Sequence, residues 1–371
     1  MLSEMKKSTV CDENRCTGCY SCVDVCPKNA ICIKDSFDAY NAIIDTDKCV
    51  NCGKCYRVCQ VLEPLQLTAP QKWVQGWSTS PSIRRGSSSG GLATAIAEAF
   101  LTRGGEVCAC IFRNGKFGFA VATKKEECKQ FAGSKYVKST PDDVYKLLGE
   151  RLPTKKVLFI GLPCQVAAVK KRFGDQKNLY TIDLICHGTP SPNLLEMSLS
   201  EYGYDIRTIV SINFRKNNKF GLEVNGRKIL PANVIDRYLY AFLSGLIYTE
   251  NCYSCPYARK ERIGDLTLGD SWGSTLTEEI EKGISLCLCQ SEKGDDLLHM
   301  VDLELFDVNV ENAIVSNHQL NHPTVAPKQR QQFFKHLSAG RTFNRAVFGC
   351  YKKALFRQDV KSILVKLRLY K

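Results

Sequence analysis

No apolar run in this 371-residue chain is long enough to cross a bilayer. The two mostly apolar stretches, around 157–169 and 238–248, stop short of the roughly 20 residues that a spanning helix needs. The N-terminal stretch MLSEMKKSTVCDENRC has no apolar core, so no signal peptide is expected and the protein reads as cytoplasmic. Neither G-x-G-x-x-G nor a P-loop occurs, so the usual nucleotide fingerprints are missing. A hydrogenase-type nickel motif is absent. There is no nucleic-acid recognition motif and no aromatic-interleaved basic stripe, which argues against a nucleic-acid partner. Acids are almost missing from the C-terminal segment. From Lys328 to Lys371 there are 12 Lys and Arg against Asp359 alone, which gives this segment +11 of the net +13. The rest of the composition, 44% hydrophobic and 24% charged, excludes disorder and suits two or three globular domains.

What the chain has in excess is cysteine, 20 residues in all. Thiols stay reduced in the cytosol, so metal binding is a better reading than disulfides. Cys16-x2-Cys19-x2-Cys22-x3-Cys26-Pro27 recurs as Cys49-x2-Cys52-x2-Cys55-x3-Cys59-Gln60. One short loop with three such cysteines can wrap a cubane, while the fourth cysteine reaches the other cluster. The spacing therefore assigns Cys16, Cys19, Cys22 and Cys59 to cluster one, and Cys49, Cys52, Cys55 and Cys26 to cluster two. Segments 30–34 and 42–46 read as a strand hairpin between the halves. Paired zinc sites usually join two separated C-x2-C units and suit this run poorly. Over about residues 8–62 the chain resembles the bacterial two-cluster ferredoxin domain. Cys11 and Cys32 fall outside the pattern.

Residues 63–82 are Pro-, Gln- and Ser-rich and read as a linker. Beyond them strands are expected at 105–112, 117–123, 156–161, 180–185 and 208–214, and helices at 92–104 and 191–203. Thr140-Pro141-Asp142-Asp143 is expected to open another helix. The run Ser87-Ser88-Ser89-Gly90-Gly91 precedes a helix whose free N–H groups could take an anion such as a dinucleotide phosphate, although such a run is also an ordinary cap. Cys164 and Cys186 each follow a strand, and Cys252 and Cys255 form C-x2-C-Pro. Four such thiolates could hold a third cluster. Cys108 with Cys110 and Cys287 with Cys289 alternate along strands and read as core packing.

SSSGGLATAIAEAFL, GSKYVKS (133–139), KVLFIGLPCQVAAVKK (156–171), DLICHGTPSP (183–192), INFRKNNKFG (212–221), the Cys252/Cys255 pair and RIGDLTLGDSWG (262–273) occur in the order of one family. Over about 70–325 the chain resembles the family of coenzyme F420 hydrogenase and dehydrogenase beta subunits. The resemblance implies an FAD-binding domain in which Ser88, Ser89, Gly90, Gly91, Gly133, Ser134, Lys135 and Tyr136 line the flavin. It also implies a cluster near the flavin on Cys164, Cys186, Cys252 and Cys255. His187 and Lys135 are the candidate catalytic side chains, His187 because a histidine titrates near neutrality. The competing reading makes His187 a turn residue and Lys135 a surface lysine. Asp265 and Asp270 are expected to cap turns near the cluster, the competing reading being substrate contact, and Arg215 to bind an anionic substrate group or form a surface salt bridge.

The expected class is α+β / α/β. A ferredoxin-like domain with two 4Fe–4S clusters (1–65) and a linker (66–82) precede a mixed α/β flavin-binding domain (83–326) and a basic, helical C-terminal tail (327–371). The expected function is an iron–sulfur flavoprotein oxidoreductase. It would pass electrons between ferredoxin or a similar redox protein and a small two-electron substrate, either a deazaflavin coenzyme or a metabolite of surface-polysaccharide chemistry. The alternative is an electron-transfer subunit whose substrate is handled by a partner. The basic tail is expected to form a partly amphipathic helix, suited to peripheral membrane contact or to an acidic partner such as ferredoxin, the plainer reading being a solvated helix packed by its leucines.

Overall fold

A computed structural model describes residues 8–367, apart from 142, 217, 218 and 232. Asp142, Asn217 and Asn218, named in the motifs above, and Leu369 of the tail therefore lie outside the described residues.

The N-terminal unit carries the expected hairpin, β1 (Ile31–Asp35) and β2 (Tyr40–Ile44), paired antiparallel. Its small core is made of Val10, Ile31, Tyr40, Ala42 and Ile44 together with cysteines. The body is built on β3 (Lys72–Ser78), β4 (Glu106–Arg113), β5 (Lys116–Ala122), β6 (Val157–Gly161), β7 (Leu179–Leu184), β8 (Ile212–Lys216), β9 (Lys219–Val224), β10 (Arg227–Lys228), β11 (Leu266–Asp270), β12 (Ser285–Cys289) and β13 (Leu303–Asp307). Eight of them form one mixed sheet in the order β13-β3-β12-β11-β7-β6-β4-β5. The centre β4-β6-β7-β11 is parallel, with antiparallel strands on both sides. Such a centre needs helices on both faces. The Leu92–Thr102 and Glu292–His299 helices cover one face, and Val144–Arg151 and Pro163–Phe173 cover the other. Cys108, Cys287 and Cys289 are buried in these layers, as their alternation predicts, whereas Cys110 is only half-buried.

The structure differs from the sequence reading at three places. Residues 72–78, expected within the linker 66–82, form β3, an interior strand between β12 and β13. Its aromatic content (Trp73, Trp77) and its buried half satisfy a sheet, whereas the Pro, Gln and Ser beside it had marked the region as a connection. The strand expected over 208–214 begins only at Ile212, since 206–208 is a short 3-10 turn capped by Asp205. The helix expected to open at Thr140-Pro141 starts at Val144 instead.

A second lobe joins β8–β10 to the Pro192–Glu201 and Arg237–Leu243 helices around Phe214, Tyr238, Leu239 and Phe242. The C-terminal segment is folded against it. Helices Arg330–Ser338, Phe343–Cys350 and Lys352–Lys366 bury Phe333, Phe343, Ala346, Val347 and Leu355 in the same core. The last helix and the Leu367 that follows it leave Phe356, Val360, Ile363 and Leu367 exposed at 62%, 39%, 56% and 62%. Their spacing puts them on one stripe. Among the described residues no helix is long and apolar enough to cross a membrane.

Candidate functional site

The two N-terminal cysteine loops share one backbone device. Gly18 and Asn51, at equivalent positions of the repeat, have φ of 65° and 55°, and Tyr20 and Gly53 have 62° and 68°. Left-handed residues turn successive N–H groups inward, toward sulfur. Gly18 N lies 3.4 Å from Cys16 Sγ, Asn51 N 3.5 Å from Cys49 Sγ, and Ala30 N 3.3 Å from Cys26 Sγ. Cys26, Cys49, Cys52 and Cys55 line one surface cavity of about 470 Å³. Cys52 is exposed there. Cys16, Cys19, Cys22 and Cys59 are buried, beneath the body. Cys11, which the motif does not include, is buried beside Cys16 and Cys59. Cys32 is exposed.

The buried loop is fastened to the body by polar contacts. Tyr145 Oη donates to the Cys19 carbonyl at 2.6 Å, and Lys138 Nζ donates to the Thr17 carbonyl at 3.2 Å. Gln60 bridges both sides: its amide donates to Thr17 Oγ1 at 2.9 Å, and its Oε1 accepts from the Tyr257 hydroxyl. The residue that breaks the symmetry of the repeat is therefore a docking residue. Asp35 adds a carboxylate that accepts from Ser191 Oγ and Asn193 Nδ2 at 2.6 and 3.0 Å.

The four remaining motif cysteines meet at the carboxyl ends of the parallel strands, where open α/β sheets present their sites. Cys164 is in the first turn of the helix after β6, Cys186 follows β7, Cys252 sits on a short 3-10 turn and Cys255 immediately follows it. All four line a cavity of about 150 Å³ with Thr17, Gln60, Lys138, His187 and Arg262. Burial pushes the Cys164 and Cys255 thiols up to about 11 and about 12, and pushes Cys186 upward as well. As bare thiols they would stay neutral, and metal binding would drive their protons off. Among the described residues no three His, Cys, Asp or Glu side chains are drawn together as a single metal ion requires. Four cysteines around a shared cavity suit a cluster, whose thiolates stand farther apart than those on one zinc.

This cavity is held in shape by a pair that the motifs alone did not single out. Arg262 Nη2 meets Asp183 Oδ1 at 2.6 Å, with side-chain exposures of 1% and 0%. Arg262 also donates to the Tyr257 and Leu184 carbonyls at 2.7 and 3.2 Å. Asp183 Oδ2 accepts from Gly264 N at 2.8 Å. Both residues stand inside the family motifs, so the signal was a charge placed in a strand that is otherwise apolar. Asp265 likewise has a structural place, accepting from Thr181 N and Oγ1 at 2.8 and 2.6 Å.

On the other side of Cys186 lies a polar wall. His187 Nδ1 is 2.5 Å from Gln319 Nε2, and its ring is edge-on to His318, which stacks on His322. Burial first, and then His318, push His187 down to about 4, so it is neutral near pH 7. Arg215 is bidentate to Asp270 at 2.6 and 3.0 Å, between the Phe220 and Trp272 rings. Tyr136 stacks on Phe242 at 4.6 Å. Burial raises its phenol, against the opposing effect of the nearby Arg215.

The residues expected to line a flavin are brought together in part. Ser88 Oγ accepts from Ser134 N at 2.9 Å, which joins the two motifs into one half-buried lip. Gly91 caps the Leu92–Thr102 helix with φ of 87°. Gly90 is buried against backbone: a Cβ there would lie 2.3 Å from the Gly76 carbonyl and 2.7 Å from Ser285 N, so packing alone requires glycine. Ser89 Oγ donates to the Ile284 carbonyl at 2.8 Å. Lys135 folds onto its own loop, donating to the Phe131, Ala132 and Gly133 carbonyls at 2.9, 3.2 and 3.0 Å. Ser88, Gly133, Ser134 and Tyr136 thus remain half-buried, whereas Ser89, Gly90 and Lys135 are occupied by the protein.

Residues 73–144 match the N-terminal part, and residues 154–310 the C-terminal part, of the family described as coenzyme F420 hydrogenase/dehydrogenase, beta subunit. Residues 7–62 match a 4Fe-4S dicluster domain. A coenzyme F420-dependent sulfite reductase of Methanocaldococcus jannaschii is 26% identical over 327 residues, 82% of this chain and 48% of that protein. The chain thus spans about half the length of that relative. A subunit of the F420H2 dehydrogenase of Methanosarcina mazei is 23% identical over 316 residues, 78% of this chain and 87% of that protein. Among solved structures, a chain of the F420-reducing NiFe hydrogenase complex from Methanosarcina barkeri superposes with a TM-score of 0.51. It covers 74% of this chain and 94% of that one at 17% identity, which shows a shared fold.

Proposed function

The chain belongs to the family of coenzyme F420 hydrogenase/dehydrogenase beta subunits, with an N-terminal 4Fe-4S dicluster domain, and we propose that it is an FAD-dependent oxidoreductase with three 4Fe–4S clusters. The observation that carries this reading is the shared cavity of Cys164, Cys186, Cys252 and Cys255, lying directly against the Thr17 loop. When bound, the clusters would carry single electrons, and FAD would pair them into two-electron transfer to a substrate. Cys26, Cys49, Cys52 and Cys55 hold the outer cluster at the surface, where a soluble one-electron partner such as ferredoxin can reach it. Cys16, Cys19, Cys22 and Cys59 hold the next, and the core cysteines the third. Ser88, Ser134, Gly133 and Tyr136 bind the flavin. Neutral His187 and the Arg215–Asp270 pair stand between the third cysteine group and that lip. There the neutral His187 ring can donate or accept a hydrogen bond, while Arg215 is held by Asp270.

The test is steady-state turnover by the isolated chain with reduced ferredoxin, offered a deazaflavin coenzyme, nicotinamides and sugar-linked substrates. Turnover supports the enzyme. Rapid cluster reduction with no turnover of any two-electron acceptor would instead make the chain an electron-transfer subunit.

A peripheral membrane contact is supported by the exposed stripe Phe356, Val360, Ile363 and Leu367, flanked by Lys352, Lys353 and Arg357. Apolar residues between cations are the pattern of a helix lying on an anionic lipid surface. Sedimentation with phosphatidylserine vesicles tests it; no binding at low salt removes the idea.

A further inference from the structure

Lys138 carries a charge in a place where a lone charge is costly. It is 3% exposed. Its ammonium donates to the Thr17 carbonyl, between Cys16 and Cys19, and lies 5.7 Å from the Tyr40 ring centre. The same side chain lines the cavity of Cys164, Cys186, Cys252 and Cys255. It therefore stands between two cysteine groups that belong to different domains. Burial works against its charge. A buried ammonium without a counter-charge is strongly unfavourable. A cluster held by four thiolates is a net anion, and one charge more negative when reduced.

We infer that Lys138 is the electrostatic bridge between the inner ferredoxin-type cluster and the core cluster, a positioning residue whose fixed positive charge favours the reduced form of both. The inference rests on the three-cluster reading above. The step it serves moves one electron from the inner cluster to the core cluster: one is oxidised, the other is reduced, and no bond or proton changes. With the cation between them, the electron stays near a positive charge throughout. The outer cysteine group lines a separate cavity that Lys138 does not reach, and its cluster is the internal control. Lys135 and Lys138 belong to the same short motif and differ in role, since Lys135 spends its protons on three carbonyls of its own loop.

The experiment is an anaerobic redox titration of the full-length holoprotein, followed by electron paramagnetic resonance, with Lys138→Met and Lys138→Arg beside the wild type. In Lys138→Met the core cluster should titrate at a lower potential, the inner cluster should shift the same way by less, and the outer cluster should not move. Lys138→Arg should restore the core and inner potentials toward wild type. Unchanged core and inner potentials in a fully loaded Lys138→Met protein would overturn the inference, as would an equal shift of all three clusters. If Lys138→Met assembles without the core cluster, the inner cluster still reports: a lowered inner potential relative to Lys138→Arg supports the bridge, and an unchanged one refutes it. A wild type with only two clusters would instead refute the three-cluster reading, so the two failures are distinguishable.

Discussion

Asp183 and Arg262 form a fully enclosed ion pair, 2.6 Å between Oδ1 and Nη2, that ties the end of β7 to the segment following the C-x2-C turn. One partner precedes Cys186 by three residues and the other follows Cys255 by seven, so the pair sets the distance between cysteines remote in sequence. Removing one partner leaves an uncompensated buried charge, which typically costs about 3–5 kcal/mol. Arg262→Met should therefore lower the thermal unfolding temperature sharply. Its iron content should fall by one cluster, while the signals of the N-terminal clusters persist. Retention of full iron in a stable Arg262→Met protein would contradict this role.

The outer and core cysteine groups should be separable. Cys52 is exposed and lines the surface cavity. Cys52→Ser should disturb the outer cluster and slow reduction by ferredoxin, leaving the core cluster spectrum unchanged. Cys255→Ser should do the reverse. Parallel spectra and iron counts on the two variants check the assignment.

Gln60 fastens the domains through Thr17 and Tyr257. Gln60→Ala should strand two buried hydroxyls and cost about 1–3 kcal/mol. Electron transfer from the ferredoxin unit to the core should slow more than reduction of the ferredoxin unit itself. Stopped-flow reduction, resolved cluster by cluster, separates the two effects.

The exposed stripe of the last helix gives a further prediction. Ile363→Asp should weaken binding to anionic vesicles severalfold without changing iron content. Added salt should weaken wild-type binding too, because cations next to the surface contribute about 1 kcal/mol each. Co-sedimentation at two salt concentrations measures both.

Much of this organisation was legible from spacing. The doubled four-cysteine run implied the exchange of Cys26 and Cys59 between loops, and the surface cavity gathers Cys26 with the second loop. Strands β4 to β7 followed from short apolar runs between turn signals. β3 was hidden because Gln75 and Gly76 dilute its pattern, although both are satisfied inside the sheet, Gln75 through Ser271 and the Asp307 carbonyl. The C-terminal helices read as a basic tail because their charge was conspicuous, while Phe333, Phe343 and Leu355 gave no sign of the core they join. Long-range electrostatics were the least readable. Nothing in the sequence distinguishes Lys138, buried between two cysteine groups, from Lys135, three residues earlier and folded on its own loop.

The three-cluster flavoenzyme is tested by anaerobic purification followed by iron, sulfide and flavin quantification with a visible spectrum. About twelve irons and one FAD per chain are expected, enough for three cubanes and a flavin. About eight irons and no flavin would contradict this reading, leaving a two-cluster electron carrier that depends on another protein for its chemistry.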